Sequence, residues 1–137
     1  MKKIEIDTFL KFRFLSNPHF SPDGTKIAFT VSVPDRETNG YLSDLYLYDL
    51  GKKTVSRVTC AGDAKIWSWT AENTLIFTAA RTAALKKEKE NGTSFFYEIS
   101  PSGGEASCRA SVPASVTGIR LLPDRRYLLT IRHDNYK

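Results

Sequence analysis

Histidine and cysteine are both scarce in this 137-residue sequence: His19 and His133, Cys60 and Cys108. Two cysteines 48 residues apart (108 − 60) build no disulfide scaffold and lack metal-ligand spacing. They read as reduced thiols of a cytoplasmic protein, each near the end of a hairpin's second strand, with a disulfide as the alternative. No apolar run approaches the roughly 18 residues of a membrane span. The N-terminus, "MKKIEIDTFLKFRFLS", opens on a basic pair, but Glu5, Asp7, Lys11 and Arg13 interrupt any apolar core of a signal peptide. Also missing are a G-x-S-x-G elbow, an H-E-x-x-H pair, a P-loop and a G-x-G-x-x-G fingerprint. The carboxylates are too dispersed for a glycosidase pair or a metal cage. The expectation is that the chain carries no catalytic, cofactor-binding or metal-binding residues and needs no cofactor.

The charge balance excludes another class. Twenty basic residues stand against fifteen acidic ones, for a net charge of +5, but they are scattered. The dense run Lys86-Lys87-Glu88-Lys89-Glu90 is broken by its own acids and reads as a solvated loop. A nucleic-acid face needs clustered Lys and Arg with aromatic stacking partners, so no nucleic acid is expected. With 41% hydrophobic and 26% charged residues, the composition is that of a globular protein with a core.

What is present is a repeat. "FSPDGTKIAF" (Phe20 to Phe29) reads as a tight turn feeding a strand. Pro22 presets the first corner, and Asp23-Gly24 tolerates positive φ. Ile27, Phe29, Val31 and Val33 then alternate with Ala28, Thr30 and Ser32, the period-2 pattern of a strand with one face buried. "SWTAENTLIFTA" (Ser68 to Ala79) and "RLLPDRRYLLTI" (Arg120 to Ile131) copy the frame, with Glu72 and Asp124 where Asp23 stands. The steps are 72 − 23 = 49 and 124 − 72 = 52 residues. Between the copies, "SDLYLYDLGKKTVSRVT" (Ser43 to Thr59) and "SFFYEISPSGGEASCRA" (Ser94 to Ala110) each read as a β-hairpin. About four short strands recurring every 40–50 residues define propeller blades.

The expected fold is all-β, a partial propeller of about two and a half four-stranded antiparallel blades. Residues 1–14 form a lead-in that docks on a neighbouring blade. Blade one spans 15–60, blade two 61–112, and 113–137 opens a third. Two polar inter-strand stretches, 34–43 and 81–93, project from a rim as loops; the second is helix-friendly at "TAALKKEKE". Propellers close with about four to eight blades, so this length leaves apolar sheet faces open. A longer polypeptide covers them, or copies self-associate.

Several residues invite a functional reading. His19, Ser21 and Asp23 suggest a triad, yet triads assemble from separated segments, and Asp23 is expected to cap its turn instead. Trp67 and Trp69 share one strand face and read as core packing rather than a ligand platform. Tyr46 and Tyr48 alternate with Leu45 and Leu47, as in a strand buried on both faces or in an aromatic contact between blades. His133 beside Asp134 reads as surface.

"LSNPHFSPDGTKIAFTVS", a polar loop, "SDLYLYDL" and then "KKEKENGTSFFYEISPSGGEA" resemble the N-terminal β-propeller of the prolyl oligopeptidase family, nearest its acylaminoacyl-peptidase-like members. The resemblance covers essentially the whole chain. It implies a serine peptidase whose propeller gates oligopeptide access to a C-terminal α/β-hydrolase domain carrying the Ser-Asp-His triad. None of those catalytic positions lies in this sequence, so the chain alone is expected to be inactive. The S-P-D-G signature also occurs in TolB-like propellers, which leaves a non-enzymatic interaction module as the alternative. Ala71-Glu72-Asn73 replaces Pro-Asp-Gly in the second copy, and Arg125 replaces glycine in the third.

Overall fold

The computed structural model describes residues 6–80 and 83–133. Asp134, the first five residues of the lead-in, and Arg81 and Thr82 of the second loop lie outside the described residues. The chain divides into two compact units, Met1–Ala64 and Lys65–Lys137, each taken by itself below.

The first unit starts with a 3-10 helix, Ile6–Lys11, followed by β1 (Phe14–Phe20), β2 (Lys26–Asp35), β3 (Gly40–Asp49) and β4 (Thr54–Arg57). They form one antiparallel sheet in the order β1-β2-β3-β4, each strand pairing with the next along the chain. Its longest pairing runs from Lys26 opposite Asp49 to Asp35 opposite Gly40. Strand β1 carries an irregularity between Ser16 and His19, where Asn17 sits at φ 56°. The lead-in helix lies on this sheet, with Asp7 paired to Arg36 at 2.5 Å and Phe9 5.8 Å from Phe14.

Register divides the side chains of this sheet into two rows. One carries Ala28 and Thr30 opposite Leu47 and Leu45, all buried. The other carries Ile27, Phe29, Val31 and Val33 opposite Tyr48, Tyr46, Asp44 and Leu42. The alternation predicted one buried face without naming it. In the second row only Val31 and Asp44 are buried, while Leu15, Phe20 and Val55 on the same face are 68%, 63% and 60% exposed. A blade sheet is apolar on both faces, so alternation marks the rows without saying which one is covered. Tyr46 and Tyr48 are half-buried, and Tyr46 packs on Phe29 of its own sheet with ring centroids 6.1 Å apart.

The second unit repeats the meander with β5 (Trp67–Trp69), β6 (Leu75–Thr78), β7 (Ser94–Ile99) and β8 (Ser107–Val112), in the order β5-β6-β7-β8. A row of large side chains crosses it. Trp67 faces Phe77, which faces Tyr97; Trp69 faces Leu75, which faces Ile99, and all six are buried. Phe77 and Tyr97 stack at 6.2 Å. Both tryptophans are thus core, as is Ser68 between them. A two-stranded antiparallel sheet, β9 (Ser115–Leu121) with β10 (Tyr127–Arg132), follows.

Between β6 and β7 the chain forms α1 (Ala83–Glu90). Alanine, leucine, lysine and glutamate are strong helix formers, and Lys87 and Lys89 sit in the last turn, where the helix dipole favours cations. Gly92 ends it at φ +93°: its N–H donates to Lys89 C=O, and Thr93 N–H donates to Glu88 C=O. That is the paired closure of a Schellman motif. The other projecting segment is a correction. Residues 34–43 are not a loop, because β2 runs to Asp35, β3 starts at Gly40, and only 36–39 turn. Asp35 accepts from the Thr38 N–H and hydroxyl, and Asn39 takes φ 51°, so four residues reverse the chain.

Candidate functional surfaces

The three repeated turns share an i to i+3 backbone hydrogen bond and a left-handed fourth residue. The closing bond spans five residues in the first turn and four in the others. Gly24 N–H donates to Ser21 C=O, Asn73 N–H to Thr70 C=O and Arg125 N–H to Leu122 C=O. The fourth residue of each is left-handed, with φ 71°, 62° and 69°. Glycine takes that conformation without cost, asparagine tolerates it, and arginine is strained there. The returning strand closes each turn, through Lys26 C=O to Ser21 N–H, Thr74 C=O to Thr70 N–H, and Arg126 C=O to Leu122 N–H. The repeat read in the sequence is therefore a repeat of backbone hydrogen bonds.

Turn chemistry accounts for the His19, Ser21, Asp23 constellation. Ser21 Oγ donates to Asp23 Oδ1 at 2.6 Å and accepts from Lys26 N–H, so its proton is directed at a carboxylate. Thr25 adds its N–H at 3.0 Å and its hydroxyl at 2.8 Å to the same oxygen. His19 Nε2 lies 2.9 Å from Asn17 Oδ1. Ser21 is 4% exposed, an unsuitable place for a nucleophile. The Ser21 hydroxyl, then the Thr25 N–H and hydroxyl, hold the Asp23 carboxyl down at about 2. Asp35, Asp49 and Asp124 are lowered by the same means, first through Thr38, Lys52 and Arg126 respectively. These carboxylates hold turns.

Sequence reading missed the lock at the end of the first sheet. Asp44 on β3 is buried; its Oδ1 accepts from Thr59 Oγ1 at 2.8 Å and Gly62 N–H at 3.0 Å, and its Oδ2 from Arg57 Nη2 at 2.6 Å. Leu45 N–H donates to Thr59 Oγ1, and Arg57 Nε donates to the Thr59 carbonyl. The Asp44 carboxylate in turn raises the Arg57 guanidinium. Nothing in an aspartate inside an apolar strand announces such a network. The signal was there only as a buried-strand charge needing a partner. The chain leaving this lock returns to β3: Ser43 N–H donates to Gly62 C=O, and Ala64 N–H to Ser43 C=O. In the second unit Ser94 receives the departing chain instead through its hydroxyl, which donates to Ala114 C=O and accepts from Val116 N–H.

Two concave surfaces flank the first sheet. One, of about 260 Å3, lies on its open face among Arg13, Val31, Leu42, Asp44, Arg57 and Cys60. The other, of about 270 Å3, lies between the lead-in helix and the β2–β3 turn, at Phe9, Pro34, Arg36 and Tyr41. Beside it Phe14 meets Tyr41 at 6.0 Å, and Phe9, Phe12, Phe14 and Tyr41 are each 41–52% exposed. Cys60 lies beyond β4 and Cys108 at the start of β8 rather than near its end; both are exposed free thiols. His133 is exposed beyond β10. Among the described residues no three His, Cys, Asp or Glu side chains gather as a metal site, and no helix is long and apolar enough to cross a membrane.

Four-stranded antiparallel meanders joined by repeated turns define the β-propeller class. Solved structures agree. The chain superposes on the β-propeller domain of the trilobed protease from Pyrococcus furiosus, which has an open velcro topology. There the TM-score is 0.61 and the identity 15%, over 88% of this chain and 34% of that one. An acylaminoacyl peptidase in complex with Z-Gly-Gly-Phe-chloromethyl ketone gives a TM-score of 0.67 at 18% identity. The acylaminoacyl peptidase of Pyrococcus horikoshii gives 0.66, also at 18%. Each of these two matches covers 94% of this chain and 19% of the peptidase. In sequence, the chain is 27% identical over 133 residues to the uncharacterized peptidase YuxL of Bacillus subtilis (strain 168), again 94% of this chain and 19% of that protein. No family model matches. The resemblance drawn from the blade motifs is thereby met: the structural neighbours are propeller domains of acylaminoacyl peptidase and trilobed protease. The chain spans about a fifth of the length of the curated relative.

Proposed function

We propose that this chain is the opening part of a propeller that gates a serine peptidase of the prolyl oligopeptidase kind, working on a catalytic α/β-hydrolase domain elsewhere in the polypeptide. Residues 1–14 lead in, 15–60 and 61–112 are the first two blades, and 113–137 begin the third, making two and a half blades. The open face of β1–β4, with Leu15, Phe20, Leu42 and Val55, packs against another blade when the ring is complete. The first sheet takes all four strands from its own stretch of chain, which suits closure by face packing without strand exchange. Oligopeptides reach the nucleophile, and large folded chains are held out. The chain alone is inactive. Two exposed free thiols suit a reducing cytoplasm.

The observation that carries this reading is a likeness, over 94% of the chain, to peptidases in both sequence and structure. The test uses the full-length protein. Replacing residues 83–92 by a short glycine linker is expected to shift the kcat/KM ratio between a long and a short peptide by about threefold, roughly 0.6 kcal/mol in relative barrier. An unchanged ratio removes the rim from gating. A full-length protein that cleaves no peptide sinks the peptidase reading and leaves a TolB-like interaction module.

A further inference from the structure

We draw no further inference here: the strongest candidate, the cavity of about 260 Å3 among Arg13, Asp44, Arg57 and Cys60 on the open face of the first sheet, belongs to the face already proposed to pack against another blade, and its buried carboxylate is fully bonded within the sheet.

Discussion

At the scale of single residues, the turns set the pH response. Asp23 has its carboxyl lowered from 3.8 to about 2, so its hydrogen bonds stabilise the fold above pH 3.8 and are lost as the pH falls towards 2. Asp23→Asn should therefore be less stable than the parent at pH 6, with the gap narrowing below pH 4, read as denaturation midpoints. A gap independent of pH would overturn this role. Arg125 offers the opposite sign. It holds φ 69° with a β-carbon, a conformation that costs roughly 1 kcal/mol, and its exposed pairing with Glu72 returns less. Arg125→Gly should gain about 0.5 kcal/mol, and Arg125→Ala, which keeps the strain and loses the pair, should gain nothing. Thermal melts of the three proteins decide it. Both turns were legible in the sequence, because Pro-Asp-Gly chemistry is local. The Asp44 lock was not, because its partners stand 13 to 18 residues away and meet only through the β3–β4 pairing.

At the scale of elements, strand existence followed from alternation and hairpin turns, while lengths depended on tertiary pairing. "PDRETNGYLS" is polar enough to pass for a loop, yet Pro34 faces Tyr41 and Val33 faces Leu42 across a continued ladder. The second projection corrects the other way: Lys86 to Glu90, expected as a solvated loop, lie inside α1, as the helix-forming composition of the run allows. Gly92 closes it in a conformation that no β-carbon favours, and an added β-carbon would meet only Ser115 Oγ at 3.8 Å, an ordinary contact. Gly92→Ala should therefore cost about 1 kcal/mol through backbone strain alone. The loss should show as faster amide exchange in 83–92, with the sheets unchanged. Equal exchange in parent and variant would mean that the helix end is held by something other than its glycine.

At the scale of the whole molecule, the proposed packing of another blade rests on the open face of β1–β4. Phe20 is 63% exposed here, so Phe20→Asp should change the stability of the 137-residue chain by less than about 0.5 kcal/mol. In the full-length protein the same change would bury a carboxylate between blades and cost about 3 kcal/mol or more. Denaturant midpoints of both pairs check the contrast. An equally small effect in each would leave the face uncovered in the mature protein and remove the proposed closure.

The sequence by itself determined the repeat, its 49- and 52-residue steps, the hairpins, the helix-forming composition of the second projection and the buried tryptophans. Each of these is written in local chemistry: a turn that tolerates positive φ, a period of two, a run of helix formers. Tertiary structure alone decided which row of the first sheet is covered, how far β2 and β3 extend, and that Asp44, Thr59 and Arg57 meet. Those outcomes depend on groups brought together from distant positions, and a sheet that is apolar on both faces does not record in its own alternation which of them is covered.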